Sequence, residues 1–265
     1  LIFIPVIIWD KGYFFFFGDF NVQQIPFYKL AHEAVRSGDL FWNWYTDLGA
    51  NFIGSYSFYL LGSPFFWLTL PFSTEFVPHL MGPLLILKHA CAAFTGTLYL
   101  KGMVRTRAYA VLGGLLYAFS GFAVYNIFFN HFHEAIVFFP LLLVGMEELA
   151  GRNRRGLFAL AVAVNAFVNY WFFIGEVVFV LLYFAVRALS PAWQMTWRRF
   201  FWIAFESVVG LLLAMCLFLP SVLAILGNPR TGATELLGGW NFWLYWHNQM
   251  YPAIVSSALF PPDLP

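Results

Sequence analysis

Charged residues are scarce in this sequence, and the scarcity excludes most classes of protein. Only 10% of the 265 residues are charged, whereas 61% are hydrophobic and 22% are aromatic. A soluble domain carries about 25% charged residues, so this chain has too few polar side chains to cover a surface in water. A soluble enzyme and a disordered segment are therefore excluded, and the composition predicts a polytopic membrane protein.

Cysteine content and net charge exclude two further classes. The chain has two cysteines, Cys91 and Cys216, both inside apolar runs, which is too few for a disulfide scaffold. The formal net charge of +1 provides no basic surface for a nucleic acid, so no nucleic-acid partner is expected. The partners that remain are membrane lipid and molecules that the membrane carries.

Apolar runs of spanning length follow one another along most of the chain. The opening run of nine residues before Asp10 is too short for a span, which needs about 20 residues, and no methionine precedes it. We therefore expect a fragment of a longer chain that begins inside a first helix. The predicted fold is an all-α transmembrane helical bundle, a single transmembrane domain over 1–265. Its further helices are predicted at 77–100, 108–128, 135–150, 156–174, 176–189 and 200–226, with a bend at 169–176.

Basic residues decide how the chain is oriented. The segment 52–72 is apolar but has a Gly-Ser-Pro break in its middle, so it either spans or lies along the interface as broken helices. If it does not span, nine of the 14 basic residues fall in short loops on one side, as the positive-inside rule expects of the cytoplasm. We adopt this arrangement, which makes 10–76 and 227–265 extracytoplasmic loops. The nine are Lys101, Arg105, Arg107, Arg152, Arg154, Arg155, Arg187, Arg198 and Arg199.

The first outer loop contains a candidate for chemistry, Asp19, close to the membrane surface. A carboxylate beside lipid can act as a general base or hold a metal. On position alone, the commoner role of an aspartate before a helical stretch is that of a helix N-cap. The next segment, 22–36, has the periodicity of an amphipathic juxtamembrane helix. It predicts that Ile25, Tyr28 and Leu30 face lipid and that Gln24, Lys29 and Glu33 face water.

Lys88 lies near the middle of the predicted helix 77–100. A charge at that depth costs about 2.5–3.5 kcal/mol, which makes an intramembrane lysine a functional candidate. Its natural use is to hold an anion such as a lipid phosphate. The alternative is an internal ion pair with Glu134, Glu176 or Glu206, and the sequence does not choose between the two.

Three further groups on the predicted outer side could contact a substrate. His131, His133 and Glu134 lie in a short loop and could hold a divalent metal or a phosphate, or anchor the loop at the interface. Glu176, at the predicted bend, could line a cavity, because irregular backbone at membrane depth is tolerated where it lines one. His247 lies in a segment rich in tryptophan and tyrosine, which suits either stacking on sugar rings or an interfacial belt.

Several segments together resemble the bacterial YfhO-like membrane proteins, which are assigned to the GT-C class of glycosyltransferases. The resemblance extends from about residue 14 to about residue 226 and depends on order and spacing more than on exact motifs. The segments are GDFNVQQIPFY (18–28), LGAN (48–51), SYSFYLLGSPF (55–65), LKHACAAFTGTLYLK (87–101), YAFSGFAVYNIFFNHFHEAIVFFPLLLVGMEEL (117–149) and NAFVNYWFFIGEVVFVLLYF (165–184).

The resemblance implies a GT-C-like fold, with juxtamembrane helices in the first outer loop, and an enzyme of the bacterial plasma membrane. Such an enzyme takes a sugar from a polyprenyl-phosphate donor. It passes the sugar, on the extracytoplasmic face, to an envelope acceptor such as teichoic acid, another surface polymer or a lipid. Asp19 takes the place of the catalytic carboxylate, and Lys88 would hold the donor phosphate. The substrate contacts implied are Gln23, Gln24, Lys88, Glu134, Glu176 and His247.

A metal cofactor is less well supported by the resemblance. The first loop has no Asp-x-Asp or Asp-Asp pair, only Asp19 followed by two glutamines. A divalent cation, Mg²⁺ or Mn²⁺, stays a candidate cofactor. Its candidate ligands are Asp19, His131, His133 and Glu134.

Two other functions are consistent with the sequence. A transporter or flippase for a lipid-linked substrate would use Lys88, Glu176 and Glu206 as its polar path. Against it, the halves of the chain show no inverted repeat, which many transporters have. A non-catalytic assembly subunit is the third hypothesis, and it predicts that no outer carboxylate affects any turnover.

Overall fold

A computed structural model gives the structure of residues 2–46, 48–190, 193 and 195–227. The fold is all-α, as predicted, with one short antiparallel ribbon formed by β1 (Trp42–Asn43) and β2 (Ala50–Asn51). The helices are α1 (Ile4–Trp9), α2 (Ile25–Ser37), α3 (Phe52–Tyr56), α4 (Pro64–Trp67), α5 (Val77–Leu100), α6 (Arg107–Ala118), α7 (Gly121–Tyr125), α8 (Phe132–Arg152), α9 (Leu157–Val168), α10 (Tyr170–Ala188) and α11 (Trp197–Leu226).

The chain divides into two compact units, residues 1–221 and 222–265. Of the second unit the structure describes residues 222–227, which complete α11 and its final turn. The extracytoplasmic loop predicted at 227–265, including His247, lies outside the described residues apart from Gly227.

Within the described part of the chain, four helical segments are long and apolar enough to cross a membrane, which supports the predicted polytopic fold. They are Thr74–Leu100, Arg107–Phe128, Tyr170–Ala188 and Trp197–Leu226. α8 has the length of a span, but it carries charged residues at both ends, and α9 is shorter, with 12 residues. The predicted bend lies at Asn169, whose side chain caps α10 by accepting the N–H of Phe172 at 3.3 Å. Glu176 is therefore inside α10 and not at the bend.

Successive helices alternate in direction, which brings the basic loops to one end of the bundle. α5 and α6 pack antiparallel so closely that a Cβ added at Gly114 would lie 2.5 Å from the carbonyl oxygen of Ala93. At the far end of α8, Glu147 accepts two hydrogen bonds from Arg187 of α10, at 2.7 and 2.8 Å. The guanidinium of Arg155 lies 3.8 Å from the ring centroid of Trp202 in α11. The loops that share a side by the positive-inside rule therefore also share an end of the fold.

The segment 52–72 folds into short pieces rather than one span. α3 is followed by a π-helical turn, Ser57–Leu61, and by α4, whose N-cap is Ser63. Gly62 packs directly on α9, since an added Cβ would lie 2.0 Å from the carbonyl oxygen of Phe167. These pieces are packed into the protein, where six of their large side chains are buried: Phe52, Tyr56, Leu60, Leu61, Phe65 and Phe66.

α2 is amphipathic, but the prediction of its two faces was partly wrong. Lys29 and Glu33 are exposed, as predicted. Gln24 and Tyr28 are each 1% exposed and point into the protein instead of toward water and lipid. The reason is that the segment 52–76 covers α2, for example through His32, whose ring nitrogens contact Thr74 and the carbonyl of Thr69.

Glu206 of α11 accepts hydrogen bonds from N–H groups at the start of α9, which have no partner within that helix. Its carboxylate, 3% exposed, accepts the N–H of Gly156 at 2.8 Å and that of Ala159 at 3.1 Å. The N-cap residue of α9 is Gly156, which has no side chain to accept these N–H groups. A carboxylate on one helix thus caps the next, where it also complements the helix dipole.

We predict that Glu206→Ala lowers the free energy of unfolding by about 1–3 kcal/mol, because the N–H groups of Gly156 and Ala159 lose a charged acceptor. Glu206→Gln should cost less, since its amide oxygen still accepts one bond. Chemical unfolding in detergent micelles measures both, with Val208→Ala on the exposed side of α11 as the control. An alanine variant as stable as the control would contradict the capping role.

Candidate functional site

A buried ion pair lies at the centre of the candidate site. Lys88, midway along α5, is 0% exposed, and its Nζ lies 2.9 Å from Oε1 of Glu134, at the start of α8. The same ammonium donates to the carbonyl oxygen of Asn130 at 3.0 Å and to its Oδ1 at 2.9 Å. A lysine ammonium has three N–H groups, so these three acceptors satisfy it completely. Of the two alternatives for Lys88, this structure has the internal ion pair, and phosphate binding stays a prediction.

Glu134 is shared between the ion pair and the segment that covers it. Oε1 accepts the hydroxyl of Ser63 at 2.5 Å in addition to Lys88, whereas Oε2 is buried without a hydrogen-bond partner. Tyr28 of α2 approaches the same carboxylate from the first outer segment. Burial, and then the negative charge of Glu134, hold the pKa of the Tyr28 hydroxyl well above its usual range. Three separate parts of the chain therefore meet at one carboxylate.

His131 links this centre to the first outer loop. Its ring is 3% exposed, and Nδ1 lies 3.2 Å from Oε1 of Gln24, whose Nε2 donates to Oε1 of Gln23 at 3.0 Å. The amide oxygen accepts, so the imidazole is the donor. Burial, and then the positive charge of Lys88, lower the pKa of His131 to about 3. His131 is accordingly a neutral hydrogen-bond donor at physiological pH.

Asp19 lies beside this hydrogen-bonded chain, close to Tyr59. It is partly exposed and precedes the π-helical turn Phe20–Gln24, but its side chain makes no capping hydrogen bond. The capping alternative therefore does not account for it. Tyr59 is a neighbour of Asp19. Burial raises the pKa of the Tyr59 hydroxyl, and the negative charge of Asp19 raises it as well, whereas a hydrogen bond with Gln23 lowers it. The ring of Tyr59 also packs 4.8 Å from that of His131.

The predicted metal ligands are not assembled. Among the described residues no three histidine, cysteine, aspartate or glutamate side chains lie where they could share an ion. His131 is bonded to Gln24, and His133 directs Nε2 at the carbonyl of Ala123 at 2.9 Å. Glu134 already has an ammonium as its cation. These residues do not fit a divalent cation in this arrangement.

The structure brings together most, but not all, of the predicted site residues. Gln23, Gln24, His131, Lys88 and Glu134 form one connected cluster with Asp19 at its edge. Glu176 lies elsewhere, in a pocket beside α10. Glu206 is at the far end of the bundle.

Three residues of the site were missed by sequence reasoning. In the sequence Ser63 stands out only as part of a helix break, although a Ser-Pro step at the start of a helix indicates an N-cap. Asn130 directly precedes the histidines, and an amide beside candidate ligands was a usable signal. Tyr59 carried no signal, because a tyrosine among aromatic residues looks like any interfacial side chain.

Comparisons with known proteins point to one family. A family model described as "Bacterial membrane protein YfhO" matches residues 1–260. The chain is also similar to "Uncharacterized protein YfhO" of Bacillus subtilis (strain 168), with 24% identity over 247 residues. That alignment covers 85% of this chain and 28% of the relative, so the chain spans less than a third of the relative's length. No solved structure matches the chain.

We predict that Lys88→Met lowers the free energy of unfolding by about 3–5 kcal/mol, because Glu134 is left as a buried and unpaired charge. Adding Glu134→Leu should recover much of that loss, since the pair is then replaced by apolar side chains. Unfolding in detergent micelles measures both, with the exposed Lys101→Met as the matched lysine control. Equal stability of Lys88→Met and the control would show that the pair does not hold the fold together.

Proposed function

Since the chain belongs to the YfhO family of bacterial membrane proteins, we propose that it forms part of a membrane glycosyltransferase. The enzyme moves a sugar from a polyprenyl-phosphate donor to a cell-envelope acceptor, teichoic acid or another surface polymer or lipid. The reaction takes place on the extracytoplasmic face. The resemblance of the sequence to GT-C enzymes suggests this class, and the position of Asp19 supports it.

The observation that carries the proposal concerns Asp19: its carboxylate is partly exposed, and it stands next to a turn that hydrogen bonds hold in place. Asp19 is partly exposed at the start of the first outer segment, so a substrate can reach it. Its surroundings are held in place by Gln23, Gln24 and His131, which end on the buried ion pair. A catalytic group needs this kind of support, because a reacting carboxylate must be held within a fraction of an ångström.

Asp19 acts as the general base in this proposal. It takes the proton of the acceptor hydroxyl as that oxygen attacks the anomeric carbon of the donor sugar. The bond from the anomeric carbon to the phosphate oxygen breaks, and polyprenyl phosphate leaves with the electron pair. One displacement of this kind inverts the configuration at the anomeric carbon.

The buried ion pair has a positioning role here. The three N–H groups of Lys88 are occupied, so a donor phosphate can bind it only if Asn130 or Glu134 gives way. In the arrangement described, Lys88 fixes the loop that carries His131 and, through it, the glutamines behind Asp19. The transporter alternative has weaker support, because Lys88, Glu176 and Glu206 have separate surroundings and form no continuous path.

We predict that Asp19→Asn in the full-length protein lowers sugar transfer by about 10²–10⁴-fold, the usual contribution of a general base. Transfer from a panel of polyprenyl-phosphate monosaccharides to an envelope polymer, in proteoliposomes, is the measurement. Glu33→Gln is the matched control, an exposed acid of the same outer segment that should leave transfer unchanged. A loss of less than tenfold in Asp19→Asn would remove Asp19 from the mechanism.

The proposed face of activity has a separate test in whole cells. Trp44 and Arg105 are both exposed and belong to the two ends of the predicted topology. We expect a cysteine at position 44, in a background without native cysteines, to react with a membrane-impermeant maleimide in intact cells. A cysteine at position 105 should react only after permeabilisation. The reverse pattern would place Asp19 in the cytoplasm and rule out the extracytoplasmic reaction.

A further inference from the structure

The pocket that contains Glu176 lies away from the cluster around Lys88, on the side of the bundle formed by α6, α8 and α10. Its volume is about 380 Å³, and apolar and aromatic side chains form nearly all of its lining. The residues that the argument uses are Tyr117, Ser120, Ile136, Phe172, Glu176 and Phe179. Such a pocket suits the apolar part of a lipid.

One carboxyl group interrupts this apolar lining. Glu176 is 8% exposed, and its Oε2 is buried without a hydrogen-bond partner. No lysine, arginine or histidine within the described part of the chain forms an ion pair with it. An unpartnered carboxyl group in hydrocarbon is costly, and such residues are rare unless they serve a function. Glu176 therefore requires a partner that the described side chains do not supply.

Two other polar side chains line the pocket, Tyr117 and Ser120, and neither forms a hydrogen bond with Glu176 in the structure. The hydroxyl of Tyr117 donates to the carbonyl oxygen of Ile136 at 2.8 Å. Ser120 accepts the N–H of Ala123 at 3.4 Å, so its own proton is available for a ligand. The pocket thus presents one carboxyl acceptor and one hydroxyl donor to whatever enters, and a ligand hydroxyl complements both.

Charge and depth exclude a phosphate at this position. Glu176 lies about 9 Å along α10 from its first residue, at 1.5 Å per residue, inside a segment that can span the membrane. A phosphate there would lose its hydration, and no basic side chain among the lining residues would pair with it. A neutral head group that donates one hydrogen bond has neither penalty.

We propose that this pocket is a binding site for a neutral lipid with a hydroxyl head group, of the diacylglycerol kind. The lipid hydroxyl donates to Glu176 and accepts from Ser120, and its chains lie against Phe172 and Phe179. The site is distinct from the cluster around Lys88 and does not depend on the proposed sugar transfer.

The test is photo-crosslinking of the full-length protein in nanodiscs. Three diazirine probes with identical acyl chains are compared: diacylglycerol, phosphatidic acid and phosphatidylethanolamine. We expect diacylglycerol to label peptides from 117–122, 135–139 and 172–179 in preference to the two phospholipids. Glu176→Leu should reduce that labelling by about three- to tenfold, the worth of one buried hydrogen bond, and Glu176→Gln should reduce it less.

Val178→Leu, on the exposed face of the same helix, is the control and should label as the wild type does. Gel-filtration profiles of all variants establish that they are folded before labelling is compared. Equal labelling by the three probes, or unchanged labelling in folded Glu176→Leu, would mean that bulk lipid fills the pocket and would overturn the proposal. Preferential labelling by phosphatidylethanolamine would overturn it in favour of an ammonium head group.

Discussion

The structure depends on one buried ammonium group, that of Lys88, whose N–H groups must all find acceptors. Lys88 lies at mid-helix in a protein that is mostly apolar, where an unpaired charge would be prohibitive. Its three acceptors come from Asn130 and Glu134, so the chain must return to the middle of α5 before α8 begins. The same oxygen of Glu134, Oε1, also accepts the hydroxyl of Ser63, from the segment between α3 and α4. One charge therefore fixes the relative positions of three segments that are far apart in sequence.

The geometry around Asp19 follows from that arrangement. His131 is held next to Lys88, where burial and the neighbouring charge keep its ring neutral. A neutral ring can donate to Gln24, and Gln24 holds Gln23 in the turn that follows Asp19. The turn that follows Asp19 is thus ordered by contacts that begin inside the membrane domain. This is how a helical bundle can present a single acid reproducibly at its surface.

Hydropathy was enough to predict the helices, because spanning segments must be apolar whatever they pack against. It also located Lys88, Asp19 and the histidine loop, since polar residues stand out in such a sequence. It could not predict which acid pairs with Lys88, because three glutamates were equally plausible in one dimension. The faces of α2 were misassigned at Gln24 and Tyr28 for a related reason: periodicity separates two faces but does not say which of them another segment covers.

The central claim is that the outer cluster around Asp19, supported by the buried ion pair, receives the donor sugar. The most direct measurement is a cryo-EM structure of the full-length protein in nanodiscs with a polyprenyl-phosphate monosaccharide. We expect sugar density against Asp19, Gln23 and Tyr59, with Lys88 still paired with Glu134. Sugar density at the opposite end of the bundle, beside Arg152 and Arg187, would contradict it.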